Sequence, residues 1–518
     1  MRRTDARTHR RTGAAARVLL LYVCASAASE RLSAQCPDGT PPPCRSARVA
    51  AAPAPNSVAV LYFESRSADT NDLALADGLT EEIINRLSGI ERLTVRSRYL
   101  VRRYRGTALE DPAAIGRTLN VAYLVSGSVR RAGGRLRVSA ELVRASGGAQ
   151  VWGQQFDQSG EDVFAIQEAV AREVATGIVG RLLPAEQQTL AVRPTTSTVA
   201  YDAFLRGNFL MARRDSVGMR RAVEEFERAL NADPAYTDAL SRIALAYGIA
   251  AGNGFDIGLS RDTVAARAVR SAAEAVRRAP NSSDAWLAMG IARLAADPRH
   301  PQGAREGFER AIALDPANAE GHHLLGFTLA LLLQDTLGIE HDRMALAIEP
   351  ARPVTIMHLA QFEAKLGHYT EARRWVDSAL TFDREFWSAR AARLWLMLQA
   401  GDTAGARAEA ARWRDLQPLR NLAPLAELAL APHQADSASV RAWRASLRAA
   451  IPAEVPVSSG LGVSLLVMFA SGDPDLVVAA LEAVRPRGAF MHQYLTWAAF
   501  DPIRQDARFD RLFRETTP

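Results

Sequence analysis

The chain has 518 residues, 63 Lys and Arg against 57 Asp and Glu (formal net charge +6), and 48% hydrophobic residues. Such a length suggests about three domains, and the apolar share is that of a globular protein. Six arginines (Arg2, Arg3, Arg7, Arg10, Arg11 and Arg17) face one acid, Asp5, in residues 1–17, so the rest of the chain carries only +1. This excludes a general positive field of the kind that gathers nucleic-acid phosphates.

Those arginines precede a short apolar run, Val18 to Val23, and then Ala25-Ser26-Ala27. Basic start, apolar middle and small-x-small end predict a secretory signal peptide over residues 1–27 and a periplasmic or otherwise extracytoplasmic protein. An uncleaved anchor, which would give membrane association, and a disordered arm are the alternatives; Arg10-Arg11 fits twin-arginine export poorly. Residues 28–56 read as a Pro/Ala-rich linker. Within it Cys36 and Cys44 bracket Pro-Asp-Gly-Thr-Pro-Pro-Pro, and in an exported chain this favours a local disulfide. Lipid attachment at Cys36 is disfavoured by Gln35, and a two-cysteine metal site lacks further ligands nearby.

From Ser57 the texture changes to a mixed-sheet domain, residues 57–192. Ser57–Phe63 reads as a buried strand, and Leu79, Ile83, Ile84 and Leu87 lie on one helical face. Leu93–Val95 is a short second strand. Asp111-Pro112 caps a short helix to about Leu119. Three strands follow, 121–131, 135–144 and 149–156, joined at glycine pairs. A long helix runs from about Asp162 to Leu183, with Val163, Ile166, Val170, Val174 and Ile178 as its stripe. Pro194–Thr198 reads as a short linker.

Beyond it, a proline returns every 34 residues. Pro316, Pro350, Pro418, Pro452 and Pro486 share one register, with Arg384 in the empty slot. Ala229, Ala311, Ala345 and Ala379 take the small-residue column, Phe226 and Phe308 a packing column, and Trp286, Met289 and Gly290 open a unit. This is similar to the tetratricopeptide helix-turn-helix repeat. It implies stacked helical hairpins over 199–430, with degenerate repeat-like helices and a C-terminal cap around Trp497–Phe513 in 431–518. The fold class expected is thus a small α+β mixed-sheet domain followed by an all-α solenoid.

Ala76-Asp77-Gly78-Leu79-Thr80-Glu81 and Val125-Ser126-Gly127-Ser128-Val129-Arg130-Arg131, with Trp152 and Asp162–Gln167, resemble the TolB amino-terminal-like domain. The resemblance covers about 57–185. It implies a domain found in bacterial cyclase-like or regulatory repeat proteins. Relatives often carry a DNA-binding, kinase or cyclase module ahead of it, and residues 1–56 are too short and polar for one.

Candidate sites are few. Asp77-Gly78, read as lying just before a helix, offers an anion site through backbone amides, against a plain helix cap. Ser126-Gly127-Ser128 lies in a strand without a partner histidine. Gly252-Asn-Gly254 has no preceding strand to make it a dinucleotide loop. His322-His323, His341 and His358 have no ligand spacing and read as ordinary helix surface, so no metal, cofactor or catalytic residue is expected. The inner wall of a solenoid is the better candidate. First-helix positions 2, 5 and 9 give Asp284, Leu287 and Ile291; Glu320, His323 and Phe327; and Val354, Met357 and Gln361. The alternative is that these merely pack adjacent repeats or face water. The expectation is a non-enzymatic exported scaffold or sensor that binds a protein or peptide and no nucleic acid. A cytoplasmic signalling regulator and a small-ligand or nucleotide binder are the rival readings.

Overall fold

The computed structural model describes residues 53–66, 70–106, 111–132, 135–159, 163–416, 419–432, 436–452, 455–485 and 489–517. The signal-peptide segment and the Cys36–Cys44 loop lie outside them. The sheet is built from β1 (Ser57–Val60), β2 (Glu64–Ser65), β3 (Thr94–Val95), β4 (Tyr123–Ala132), β5 (Arg135–Arg144) and β6 (Gln150–Ser159). Its order is β3-β1-β4-β5-β6, with β2 also on β4. β1 runs parallel to β3 and β4, while β4, β5 and β6 form an antiparallel meander. The parallel pairs need crossovers, and helices α1 (Thr70–Ser88), α2 (Arg98–Val101) and α3 (Pro112–Leu119) lie in them. The Asp111 carboxylate accepts from the Ala114 amide at 2.9 Å, with Pro112 opening the helix as expected. Gly127 is a packing residue: a Cβ there would come within 2.4 Å of the Phe63 ring and the Ser139 carbonyl. Ser126 donates to Glu141 at 2.7 Å.

The expected long helix is α4 (Val163–Val179), followed by a separate short α5 (Pro184–Ala191). Val163, Ile166, Val170 and Val174 are buried along it. The Pro194–Thr198 stretch is not a loose tether. Thr195 is buried and donates to Asp233, and the Arg86 guanidinium donates to the carbonyls of Leu190 and Val192. Phe164 lies 4.4 Å from Tyr201, so one apolar core runs from the sheet into the first repeat.

Helical hairpins follow: α6 (Thr198–Met211) with α7 (Ser216–Ala232), α8 (Thr237–Asn253) with α9 (Arg261–Arg278), α10 (Ser283–Ala296) with α11 (Gln302–Leu314), α12 (Ala319–Leu331) with α13 (Asp335–Ile348), α14 (Pro353–Lys365) with α15 (Tyr369–Phe382), and α16 (Trp387–Gln399) with α17 (Thr403–Arg412). Second helices end at recurrent aspartates whose carboxylates accept a turn amide, as Asp233 does from Ala235 and Asp315 from Ala317. Ala229, Ala311, Ala345 and Ala379 are fully buried where helices cross. A Cβ on Gly290 would lie 2.5 Å from the Phe308 ring, and one on Gly207 2.4 Å from Phe226. Glycine on one helix is what lets phenylalanine on the next seat fully, and each such ring contributes about 1.5–3 kcal/mol of burial.

Helical pairs continue beyond residue 430. The helices α18 (Ala423–Ala429) and α19 (Ser437–Ala450), then α20 (Val457–Ser471) and α21 (Pro474–Glu482), keep the pairing; they are followed by α22 (Ala489–Leu495), a 3₁₀ turn Ala498–Ile503 and α23 (Ala507–Thr516). Short parallel strands β7 (Val455–Pro456) and β8 (Val484–Arg485) bracket the α20–α21 pair.

Candidate functional site

First helices line the inner wall of a repeat stack, and α8 and α10 lie in direct contact side by side. The nine predicted wall residues separate into three groups. Asp284 and Val354 are exposed, and Glu320, His323, Phe327 and Gln361 are partly so. Leu287 and Met357 are buried in the core. Ile291 presses on the neighbouring helix, where a Cβ on Gly248 would meet it at 2.6 Å. Leu287 and Met357 hold repeats together and offer nothing to a partner, while Ile291 packs on its neighbour and keeps part of its surface exposed.

The C-terminal half of the wall is covered by the chain itself. Helix α20 packs on α16, α22 on α12, and the 3₁₀ turn on α14. Trp395, at inner position 9 of α16, is surrounded by Phe469 at 6.3 Å, Trp497 at 6.2 Å and Tyr369 at 6.3 Å. Gln361 shares a small pocket with Lys365, Gln493 and Trp497. Trp497 is 1% exposed and Phe500 fully buried. Helices α20 and α22 and the 3₁₀ turn therefore do more than cap the end of the stack: they pack along its first helices. The sequence marks Trp497–Phe513 as apolar helix, yet its docking surface is non-local and has no period to reveal it.

The stretch from α8 to α12 keeps an acidic column. Asp238, Asp284 and Glu320 occupy the same second position of three successive first helices. Burial pushes the Asp238 carboxyl above its ordinary value and the nearby Asp284 charge adds to this, with Arg242 opposing. Arg242 lies 3.9 Å from Asp284, and Arg352 pairs with Glu320. From the sheet domain, Arg103 reaches past this stretch to the end of α15, donating to the Thr381 carbonyl at 2.6 Å over the Phe382 ring.

The histidines are not helix surface. His322 and His358 are buried, and His322 Nδ1 lies 3.1 Å from His341 Nδ1. Burial and the His322 ring hold the His341 imidazole below its usual value. His323 Nδ1 lies 3.0 Å from Asp342 Oδ1, and His358 Nδ1 2.5 Å from Asp342 Oδ2. The 19-residue separation of His323 and Asp342 is one helical hairpin, so the two meet across α12 and α13; that spacing is the signal a search along single helices misses.

Asp77-Gly78 is not a helix start. Helix α1 begins at Thr70, so both lie well inside it, where the backbone amides are already committed to the helix. The expected anion site is thereby corrected. Asp77 pairs with Arg105, and burial raises its carboxyl to about 6. Gly78 gives room to Leu205 of α6, 2.6 Å from where a Cβ would sit. Gly254 has a left-handed φ of 70° and ends α8, the place of a C-cap and not of a phosphate loop. Among the described residues no helix is long and apolar enough to cross a membrane.

The HilA/YgeH-like transcriptional regulator second domain matches residues 54–174, the sheet domain. A protein named putative adenylate cyclase 3, of Rhizobium meliloti (strain 1021), is 33% identical over 196 residues, which is 37% of this chain and 33% of that one. The probable biofilm formation methyltransferase WspC of Pseudomonas putida is 35% identical over 127 residues, 24% of this chain and 27% of that one. The chain thus spans about a third and about a quarter of these two relatives. Among solved structures, a thermophilic TPR protein of Thermus thermophilus is 21% identical, covering 38% of this chain and 99% of its own, with a TM-score of 0.33. Pseudomonas aeruginosa PilF is 16% identical, covering 42% and 92%, with a TM-score of 0.32. The chain is a small mixed-sheet domain followed by a TPR-like helical repeat array.

Proposed function

We propose that this protein is a non-catalytic, exported scaffold or sensor that holds a protein partner along the inner wall at the N-terminal ends of α8, α10 and α12. The observation that carries the reading is the acidic column of Asp238, Asp284 and Glu320, repeated at one position of three successive helices. Carboxylates in a helix's first turn also favour its dipole. The half-exposed Asp284 side chain and its charge coupling to Asp238 go beyond that need. Such a wall suits an extended basic segment, because opposite charge steers encounter and repels acidic competitors. The sheet domain is read as the TolB amino-terminal-like type on the resemblance of residues 76–81 and 125–131 alone.

Fluorescence anisotropy of a labelled arginine-rich peptide with the full chain tests this. Binding that weakens with salt and falls several-fold in Asp238→Asn/Asp284→Asn supports the reading; binding unchanged by both would sink it. Export rests on the basic, apolar and small-residue pattern of residues 1–27. A fusion of residues 1–60 to a reporter active only outside the cytoplasm should be active, and a silent fusion would favour the second reading, a cytoplasmic signalling regulator. That reading draws on the HilA/YgeH-like match and the cyclase-named relative.

A further inference from the structure

We propose that His323, Asp342 and His358 form a binding site for a divalent transition-metal ion, zinc in class, that clamps helices α12, α13 and α14 together. One ligand atom from each side chain lies within 4.8 Å of the others, the only such trio of His, Cys, Asp or Glu among the described residues. Two imidazole nitrogens and one carboxylate oxygen are the donor set of zinc and its neighbours, whereas calcium and magnesium take oxygen cages.

The second observation is an unmet demand. Asp342 Oδ2 and His358 Nδ1 stand 2.5 Å apart, yet both are buried without an aligned hydrogen bond. The Asp342 side chain is 0% exposed and that of His358 4%. With no aligned hydrogen bond between them, both atoms keep lone pairs for an ion, which would part them to the roughly 3.3 Å that two ligands of one tetrahedral zinc keep. The ion pairs of Asp342 are with these two imidazoles, so no Arg or Lys is seen to meet its charge among the described residues. Buried charge is kept where it is paired, and a cation held between these three groups would add to that pairing.

The surroundings are built to match. Gly326 leaves the carboxylate room, since a Cβ there would lie 3.1 Å from Asp342 Oδ1. The rings of Phe327 and Phe362, 5.5 and 4.7 Å from the His358 ring, wall the site with apolar surface. His323, 12% exposed, is the edge that faces the inner wall and gives an ion its way in. The three ligands come from three consecutive helices, the first of which, α12, has α22 packed on it. An ion there would fix the angle between neighbouring repeats.

The test uses the full chain with Cys24, Cys36 and Cys44 changed to serine, stripped with chelator and dialysed against micromolar Zn²⁺. Mass spectrometry of the metal content should give one zinc per chain, zinc should raise Tm, and Co²⁺ should develop visible d–d bands. Asp342→Asn and His323→Gln should each weaken binding by more than the roughly 10–100-fold that loss of an outer-shell partner costs. His300→Gln, an exposed control, should leave it unchanged. His323→Gln alters the most exposed ligand, so its fold is checked by circular dichroism and its zinc-dependent Tm shift should vanish. No zinc or cobalt retained by the cysteine-free chain would show a plain hydrogen-bonded Asp–His cluster and overturn the proposal. Retention undiminished in both folded variants would locate the ion elsewhere and overturn it equally.

Discussion

The two halves of the repeat wall are built from the same hairpins and end differently. Between α8 and α12 position 2 carries carboxylates while position 9 carries the apolar Ile291 and Phe327, and α8 and α10 lie side by side. On α14 and α16 position 2 is Val354 and Ser388 and position 9 is Gln361 and Trp395, and the chain's own Phe469, Gln493 and Trp497 lie on the latter pair. A repeat fixes the backbone of a groove; the side chains at a few inner positions decide whether that groove stays available or becomes core. Large aromatic rings there gain most by being buried, and an attached helix is always at hand to bury them. Carboxylates there would be desolvated at a cost without a paired cation.

The sharpest way to break this contrast is to remove the ring at its centre. Trp497→Ala should cost about 3–5 kcal/mol in urea unfolding followed by circular dichroism, the expectation for deleting a fully buried tryptophan. A loss under about 1 kcal/mol would mean the covering helices contribute little. Next comes the packing common to both halves. Gly290→Ala drives a methyl into the Phe308 ring and should cost about 1–3 kcal/mol. Gly252→Ala, with no atom within 4 Å, should be neutral or stabilise by up to about 1 kcal/mol. Equal effects of the two would show that the glycines are not placed for contact.

Asp77, where the sheet domain meets α6, sharpens the comparison by pH. Burial raises its carboxyl from 3.8 to about 6 in the folded chain, so folding holds that proton more tightly than the unfolded state does. The stability this gives is present below the unfolded value and lost as pH rises through 6. Unfolding free energies at about pH 4 and pH 7 should therefore differ by about 1–3 kcal/mol more in the wild type than in Asp77→Asn. A parallel pH dependence in the two proteins would contradict it. The smallest stability effect belongs to the available half: Asp284→Asn should change stability by under about 0.5 kcal/mol while weakening capture of a basic peptide.

Much of this is legible in the residues because it is local. The alanine column, Phe308 against Gly290 and the Asp111 cap each depend on neighbours within a hairpin or a turn. What escapes depends on distant segments meeting. Asp77 reads as a helix cap because Gly78 follows it, but the glycine serves Leu205 in another domain. The histidines have no spacing along one helix because their common partner, Asp342, sits on the next. The position-9 residues read as a wall for a partner, and only the path of residues 457–503 reveals which of them the chain keeps for itself.

That division is tested most directly by hydrogen exchange on the full-length chain with and without Trp497→Ala. Exchange in residues 353–399 should quicken roughly tenfold or more as the covering helices loosen, while residues 237–296 stay within about twofold of the wild type. Uniform change along the array, or none in residues 353–399, would contradict the account.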